Sequence, residues 1–452
     1  MNLYLESLGC ARNQVDSEIM IGRLKKAGWN LTDDPAEAQT IVVNTCSFIE
    51  DAAQESIDVI LELAEFKKEG TCNRLVVAGC LPERYREEIL TSLPEVDVFL
   101  GTGAFDQIVK AAGEPQFSHQ CLLPDPDLIT VEGKDSPRDL ILPHLAYLKI
   151  AEGCSKTCTY CIIPKLRGRQ KSRPPEDIIA EARRLMAAGV KELVLVAQDT
   201  TAYGKDLTPP ANLSRLLDDL AVCGADDQWG ITKPWFRVLY GHPESIQDSF
   251  IDTVASHPNL CPYFDIPIQH VSPGILKRMG RRYNRDELYR LFDRIRTQVP
   301  AAVLRTTVIV GFPGESDKDF DQLLRFTEDV QFDHLGVFIY SDSDDLASHR
   351  LSDHIPGAVA TERYHQLMSA QSGISSEINQ KYVGKLLKVL VEEFLDNHLF
   401  AGRTNFQAPE VDGISYINTE PSPFKLKIGS FADMRVTDAM EYDLMGVGVW
   451  TT

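Results

Sequence analysis

The chain has 452 residues, 43% of them hydrophobic, and a formal net charge of -20 at pH 7. Because single hydrophobic cores rarely exceed about 250 residues, this length predicts about three domains. The negative charge argues against nonspecific nucleic-acid binding, for which lysine and arginine supply the affinity, and it favours a basic protein partner.

The N-terminus and the cysteine content predict a soluble, cytoplasmic protein. Residues 1–14 contain no basic segment followed by an apolar one, and no apolar run reaches the ~18 residues that a membrane span needs. Ten cysteines are too few for a disulfide scaffold in so long a chain. In a reducing compartment, clustered cysteines indicate metal binding.

Residues 1–112 predict an N-terminal α/β domain with a doubly wound parallel sheet. Apolar strand patterns alternate with amphipathic helix patterns, an order that is typical of parallel sheets with helices on both faces. Asp16 is predicted as the N-cap of the first helix. The predicted strands are 3–8, 41–46, 75–80 and 96–100, and the predicted helices are 17–27, 50–67 and 82–93.

Three cysteines, Cys10, Cys46 and Cys80, stand at the ends of three successive predicted strands. The carboxyl ends of parallel strands meet at one edge of a sheet, so we expect these thiols to lie together as metal ligands. The alternative is that a small apolar side chain simply fills each strand end. Cys72 precedes its strand and is therefore expected to face away from the other three.

Residues 113–143 are rich in Pro, Asp and Ser and predict a linker, whereas residues 144–383 predict a second α/β domain. Six strand patterns separated by helix patterns favour a partial (β/α)6 barrel that is open on one side, with a full barrel as the alternative. The predicted strands are 145–151, 192–198, 235–240, 263–269, 304–311 and 334–340, and the predicted helices include 175–188, 284–298 and 318–330.

Cys154, Cys158 and Cys161 lie in a loop that follows the first of these strands. Thiolates at such short spacing suit zinc or an iron-sulfur cluster. A structural zinc site needs a fourth ligand, but the next cysteine is Cys223, and His144 precedes the strand. A cubane held by three cysteines keeps one iron open for a substrate or cofactor, so we favour a cluster over a structural metal knuckle.

The Cys-x3-Cys-x2-Cys spacing, with Tyr160 just before the last cysteine, resembles the signature of the radical S-adenosylmethionine (SAM) superfamily. The resemblance implies a 4Fe-4S cluster whose open iron chelates SAM and cleaves it to a 5'-deoxyadenosyl radical, with Tyr160 near the adenine.

Polar and glycine residues at other strand ends are candidates for cofactor binding. We expect Gln198 and Gln269 to hydrogen-bond SAM, although each side chain is equally suited to bonding the backbone. Gly311 and Gly314 are expected to let the backbone approach a ligand closely. A basic run after the cluster loop is either a solvated loop or a contact for SAM or the substrate; its members are Arg167, Arg169, Lys171 and Arg173.

Residues 384–452 predict a small antiparallel β-barrel or sandwich, with short strands at 386–392, 399–404 and 433–439 between Gly, Pro and Asn turns. Six basic and ten acidic residues from Lys385 onward give this segment a formal charge of -4. A domain that grips tRNA should be basic, so this one is better suited to a cationic protein.

Three motifs in the N-terminal domain, SLGCARNQVDSE at 7–18, NTC at 44–46 and AGCL at 78–81, resemble the methylthiotransferases, and the resemblance extends along essentially the whole chain. It implies that Cys10, Cys46 and Cys80 hold an auxiliary 4Fe-4S cluster that handles the sulfur or methylthio group. It also identifies the C-terminal segment with the TRAM domain, a small β-barrel that holds substrate.

The motifs at 161–168, 265–272 and 408–413 resemble the RimO branch, which modifies an aspartate of basic protein twelve of the small ribosomal subunit. The resemblance implies hydrogen abstraction from the aspartate β-carbon, sulfur delivery from the auxiliary cluster and a methyl group from a second SAM. It also implies a sulfur donor and a reductant such as a flavodoxin.

Two alternatives stand beside this interpretation: a tRNA adenosine methylthiotransferase, and a two-cluster iron-sulfur electron-transfer protein. Residues 342–348 depart from the branch's usual acidic-Gly-Thr-x-Ala run, in a segment expected at the substrate mouth. The cysteines outside the two triads are expected to be dispensable; they are Cys72, Cys121, Cys223 and Cys261.

Overall fold

The structure is a computed structural model that describes residues 1–129, 131, 133, 135–225, 233–396, 398–420 and 426–449. Residues 130, 132 and 134 of the predicted linker lie outside the described residues. The same holds for Lys425, which enters the C-terminal charge, and for 450–452 at the end of the predicted C-terminal domain.

The N-terminal part is a six-stranded parallel sheet in the order β2-β1-β3-β4-β5-β6. Its inner residues pack in two separate apolar clusters, one on each face, with helices contributing to both. The predicted doubly wound parallel sheet is therefore confirmed. The strands are β1 (Asn2–Ser7), β2 (Asn30–Leu31), β3 (Thr40–Thr45), β4 (Arg74–Gly79), β5 (Val98–Leu100) and β6 (Gln120–Leu122); the helices are α1 (Ala11–Lys26), α2 (Glu50–Ala64), α3 (Phe66–Glu69), α4 (Cys80–Tyr85), α5 (Ile89–Ser92) and α6 (Ile108–Gly113).

The first helix differs from the prediction. It begins at Ala11, directly after Cys10, so Asp16 is not its N-cap. Asp16 lies on the buried side of the helix, where its carboxylate accepts hydrogen bonds from Lys149 and Arg167 of the central domain. The Asp16 carboxylate therefore links the N-terminal domain to the central domain and does not cap the helix.

The predicted linker contains ordered structure. Strand β6 adds to the sheet beside β5, so the sheet extends beyond residue 112. Arg138 is buried and donates hydrogen bonds to Glu18 at 2.6 Å, Glu181 at 2.9 Å and the carbonyl oxygen of Tyr147 at 2.7 Å. A buried guanidinium is tolerated only with such partners, so this segment fastens α1 to the central domain.

The central domain is a partial barrel of six parallel strands, as predicted. Three are ordered β11-β10-β7 and three β12-β13-β14. The Phe236 amide donates to the Asn259 carbonyl and the Cys261 amide to the Phe236 carbonyl, both at 2.8 Å, which joins the two halves. β7 and β14 are the outer edges. The strands are β7 (Leu145–Lys149), β10 (Glu192–Val196), β11 (Trp235–Val238), β12 (Tyr263–Asp265), β13 (Val303–Val310) and β14 (His334–Ile339), with a short pair β8 (Ala151–Glu152) and β9 (Lys171–Ser172).

Helices cover the outer face of the barrel and include segments that the sequence did not single out. The 24-residue α14 packs on β14 and α13 and leads into the C-terminal domain. None of the helices in the described ranges is long and apolar enough to cross a bilayer. The helices are α7 (Ile163–Arg167), α8 (Pro175–Ala187), α9 (Leu213–Gly224), α10 (Asp248–Ser256), α11 (Pro273–Arg278), α12 (Arg285–Gln298), α13 (Asp317–Val330) and α14 (Gly357–Gln380).

The C-terminal domain is a closed five-stranded barrel in the order β15-β16-β17-β19-β18. Its pairs are antiparallel as predicted, except that β17 pairs with β19 in parallel. It docks on the central strands through Glu192, whose carboxylate accepts from Arg237 and Arg403, both at 2.7 Å. The strands are β15 (Leu386–Asp396), β16 (Leu399–Thr404), β17 (Ser415–Asn418), β18 (Phe431–Ala439) and β19 (Leu444–Val449).

Candidate active site

All six predicted ligand cysteines line one cavity of about 570 Å³ between the N-terminal sheet and the partial barrel. The ends of β1, β3 and β4 supply one triad, and the loop after β8 supplies the other. Residues 409–411 of the C-terminal barrel line the same cavity. Two parallel sheets therefore present their carboxyl edges to a shared space, which is where ligands bind in such folds.

The N-terminal triad depends on close backbone packing. Gly9 has φ +93°, and a Cβ there would stand 2.6 Å from the Cβ of Cys46 and 3.2 Å from its sulfur. The Cys46 amide donates to the hydroxyl of Ser56 at 3.1 Å, and that hydroxyl donates to the Cys46 carbonyl at 2.8 Å. The Ser56 hydroxyl thus fixes the backbone of Cys46 on both sides, and the close approach of Gly9 leaves room for its side chain.

Arg167 sets the electrostatics of this triad. Its guanidinium Nη2 donates to the sulfur of Cys80 at 3.6 Å. Burial raises the pKa of the Cys46 thiol to about 11, and it also raises the pKa of Cys80 in spite of Arg167. Burial acts in the same direction on Cys10, but Arg12 and Arg167 outweigh it and hold the pKa of Cys10 below its ordinary value. Two guanidinium groups therefore favour thiolates here.

The central triad lies on a loop held by backbone contacts. The Cys154 amide donates to the Gly168 carbonyl at 3.0 Å, and the Thr159 amide donates to the Met279 carbonyl at 3.1 Å. Burial raises the pKa of Cys161 to about 12, because desolvation disfavours its thiolate.

The thiol arrangement suits a cluster and not a single ion. Across the ranges that the structure describes, no three His, Cys, Asp or Glu side chains are close enough together to hold one metal ion. A cubane imposes no such condition, because each thiolate ligates a different iron atom. The three thiols of each triad therefore fit an iron-sulfur cluster.

Three buried acceptor atoms in the cavity have no hydrogen-bond partner among the described residues: Oε1 of Gln198, Oδ2 of Asp199 and Oε1 of Gln269. Buried polar atoms are normally paired, so these atoms indicate a ligand that donates hydrogen bonds. Gln269 and Tyr240, which also line the cavity, have left-handed backbones with φ +63° and +64°. Such strain is typical of functional sites.

Tyr160, which is predicted to lie near the adenine of SAM, lines the cavity, and Arg281 holds its hydroxyl there. Arg281 Nε donates to the Tyr160 hydroxyl at 3.1 Å, and the Tyr160 ring meets Phe312 edge-on at 6.4 Å. Gly311 lies elsewhere: a Cβ at that position would stand 2.5 Å from the Cβ of Ala360 on α14. Close packing of α14 thus explains this glycine, and its placement does not support the predicted cofactor contact.

The predicted basic run divides into different roles. Arg167 and Arg173 are buried, and Arg173 pairs with Glu181 at 2.7 Å. The Arg169 side chain is 84% exposed, so the solvated-loop interpretation applies to that residue. Lys171 donates to the carbonyl oxygen of Pro126.

Four buried charges connect the two triads. Arg167 Nη1 lies 2.8 Å from Asp16 and 3.2 Å from Glu152, and Lys149 pairs with the same two carboxylates. The other oxygen of Glu152 accepts from Nε2 of Gln198, whose Oε1 is one of the unpaired acceptors. A continuous polar chain therefore runs from Cys80 to the central side of the cavity.

The segment 342–348 lies against the N-terminal triad. Arg84 donates to Asp345 at 3.0 and 3.1 Å, to Ser343 at 2.7 Å and to the Ser47 carbonyl, next to Cys46, at 2.7 Å. Leu346 packs on Cys80. This segment connects the central domain to the N-terminal triad.

Several cavity residues had no role in the sequence analysis; they are Arg12, Tyr147, Tyr240, Arg281, Arg305 and Glu410. Arg12 stands inside the motif at 7–18, two residues after Cys10, and that position was a usable signal. Arg281 and Arg305 have no comparable local signal. The four cysteines outside the triads do not line this cavity, and Cys72 packs within the N-terminal core.

Three family models match the chain. They are the uncharacterized protein family UPF0004 at residues 2–101, the Radical SAM superfamily at residues 148–327 and the TRAM domain at residues 383–449.

Two relatives match along nearly the full length. The ribosomal protein uS12 methylthiotransferase RimO of Desulfosudis oleivorans is 51% identical over 449 residues, which cover 99% of this chain and 99% of that protein. The chain belongs to the RimO family of methylthiotransferases. The protein of the same name from Clostridioides difficile is 47% identical over 447 residues, 99% of this chain and 98% of that protein.

Membership of the RimO family confirms the predicted enzyme class, a radical SAM methylthiotransferase. It also confirms the predicted cofactors, SAM and iron-sulfur clusters.

Solved structures agree with the fold. The radical S-adenosylmethionine methyltransferase TsrM from Kitasatospora setae has a TM-score of 0.56 at 11% identity, over 82% of this chain and 89% of that chain. The cobalamin-dependent S-adenosylmethionine radical enzyme OxsB has a TM-score of 0.53 at 13% identity, over 82% of this chain and 56% of that chain. At these identities the likeness concerns the fold alone.

We expect Arg84→Met to loosen the segment 342–348, because Asp345 loses a two-bond guanidinium partner that is itself buried. Amide hydrogen exchange across this segment should become at least about tenfold faster. Lys165→Met is the control, since Lys165 contacts the same carboxylate at 3.3 Å from an exposed position. Equal exchange rates in the two variants would contradict the role given to Arg84.

Proposed function

We propose that this enzyme adds a methylthio group to the β-carbon of an aspartate in ribosomal protein uS12, in the cytoplasm. The observation that carries the proposal is the convergence of two cysteine triads on one cavity. The names of the full-length relatives supply the substrate. An unactivated C–H bond next to a carboxylate has little acidity, so acid–base groups alone would hardly open it.

The two triads have separate roles in this proposal. Cys154, Cys158 and Cys161 hold the cluster that binds SAM, while the auxiliary cluster is held by the N-terminal triad, Cys10, Cys46 and Cys80. When bound, these groups supply one-electron cleavage chemistry on one side of the cavity and sulfur-transfer chemistry on the other. Arg167 donates to Cys80, which stabilises a thiolate ligand.

Gln198, Asp199 and Gln269 would orient SAM, because the acceptor atoms that they leave unpaired in the described part of the chain suit the hydrogen-bond donors of this cofactor. Tyr160 lies beside the central triad, and Arg281 fixes its hydroxyl. Burial raises the pKa of Tyr160 well above its ordinary value, so its hydroxyl keeps the proton.

The cavity mouth suits a polypeptide. Phe48, Phe338 and Val411, one from each domain, line the cavity with 44%, 50% and 53% exposure. Exposed apolar side chains grouped in this way mark interaction sites. The negative charge of the chain favours a basic protein over tRNA. A sulfur donor and a reductant such as a flavodoxin complete the proposed partners.

The direct test uses anaerobically reconstituted enzyme, SAM, a reductant and purified uS12. We expect a mass gain of one methylthio group on one aspartate, together with 5'-deoxyadenosine. Cys154→Ala should form neither product. Modification of tRNA in place of uS12 would support the adenosine branch, and no SAM cleavage by reduced enzyme would support an electron-transfer protein; either result would reject the proposal.

The auxiliary cluster should depend on Gly9. In Gly9→Ala the new Cβ displaces Cys46, so iron bound per chain after reconstitution should fall by about half. Gly28→Ala is a matched control: Gly28 has φ +94°, nearly the same as Gly9, but nothing lies within 4 Å of a Cβ there. Full iron content in Gly9→Ala would count against Cys46 as a ligand.

Gln269→Gly should change the free energy of unfolding and the affinity for SAM in opposite directions. Glycine relieves the left-handed strain, so the free energy of unfolding should rise by about 1 kcal/mol, while SAM affinity falls because an acceptor is lost. The control is Gln331→Gly, which relieves a φ of +52° at the end of α13 and should leave SAM affinity unchanged. Equal SAM affinity in both variants, measured by calorimetry, would remove Gln269 from the cofactor site.

A further inference from the structure

Arg12 lies in the first turn of α1, two residues after Cys10. Its side chain lines the shared cavity. Its Nη1 donates to the carbonyl oxygen of Ala197 at 3.0 Å, and its guanidinium carbon lies 4.6 Å from the centre of the Tyr240 ring. One backbone acceptor and one aromatic face thus fix the plane of the guanidinium.

Arg12 has no carboxylate partner among the residues that the structure describes, unlike most cations of the cavity. Arg305 pairs with Asp265 at 3.0 Å, and Lys156 pairs with Glu244 at 3.0 Å. Arg167 pairs with Asp16 and Glu152. A guanidinium carries five N–H donors, and the contact with Ala197 uses one of them.

Arg281 is the other cavity arginine without a carboxylate partner in the described part of the chain, but its donors are occupied. It donates to the Tyr160 hydroxyl and faces the ring of His242. Arg281 therefore positions Tyr160 on the central side of the cavity. Arg12 lies on the N-terminal side, beside Cys10, and retains its capacity for an anion.

We propose that Arg12 binds the carboxylate of the target aspartate and so determines specificity for an acidic residue. This inference rests on the proposed function. Arg12 matches a carboxylate with two parallel hydrogen bonds, whereas a neutral adenine offers no such partner. Carboxylates of Asp199, Asp265 and Glu410 also line the cavity, so an anionic substrate requires an unpaired cation there.

The surroundings hold Arg12 ready for this role. Tyr240, on which it stacks, has a left-handed backbone. The Tyr240 amide donates to Asp265 at 2.9 Å, and the Tyr240 carbonyl accepts from the Thr200 amide at 3.0 Å. A fixed stacking partner keeps the guanidinium in one orientation before the substrate arrives, which reduces the entropy lost on binding.

The test is a cycle between enzyme and substrate variants. The affinity of reconstituted enzyme for uS12 is measured with aspartate or asparagine at the modified position, in the wild type, Arg12→Met and Arg12→Lys. We expect Arg12→Met to weaken binding of the aspartate form roughly 10- to 100-fold, and binding of the asparagine form far less. Lysine should restore part of the loss, because it keeps the charge but not the planar fork.

Arg169→Met is the matched control, since Arg169 follows the cluster loop but is exposed, and its affinity for both forms should equal that of the wild type. If Arg12→Met loses affinity equally for the aspartate and asparagine forms, Arg12 has a structural role and the inference is overturned. The proposed function would still stand in that case, provided that the wild type modifies uS12. If the wild type neither binds nor modifies uS12, the proposed function fails and the inference fails with it.

Discussion

Two carboxylates and two cations, buried between the N-terminal and central domains, hold the site together. Asp16 comes from α1, Lys149 ends β7, Glu152 ends β8 just before the cluster loop, and Arg167 ends the helix after that loop. Their charges balance, and each cation contacts both carboxylates, which is the condition under which buried ions are tolerated. Removing one of them would leave an unpaired charge at the junction of both triads.

This network of four charges contacts residues on both sides of the cavity. Arg167 reaches the sulfur of Cys80, and Glu152 orients Gln198 on the opposite side. The C-terminal barrel, which docks through Glu192 and its two arginines, adds a third wall to the cavity with residues 409–411. A shared, partly enclosed space suits a reaction in which one carbon must meet two different reactive groups in turn.

Local patterns predicted the fold well where apolar runs were long. Apolar runs predicted four of the six strands in the N-terminal sheet and all six parallel strands of the partial barrel, and the place of the cysteines at strand ends predicted their convergence. Asp16 was misplaced because a carboxylate before an apolar run resembles an N-cap, while its partners Lys149 and Arg167 are 133 and 151 residues away in the chain. The three-residue β6 is too short to show alternation, and the parallel pairing of β17 with β19 follows from closure of the barrel, which no local pattern encodes.

The central claim is that both triads carry clusters that face one cavity. Electron paramagnetic resonance of the fully reduced, reconstituted enzyme tests it most directly, with Cys46→Ala and Cys154→Ala as single-cluster references. The account predicts a wild-type spectrum that is broadened by magnetic coupling between two nearby clusters and that differs from the sum of the two variants. A wild-type spectrum equal to that sum, or one that Cys46→Ala leaves unchanged, would contradict it.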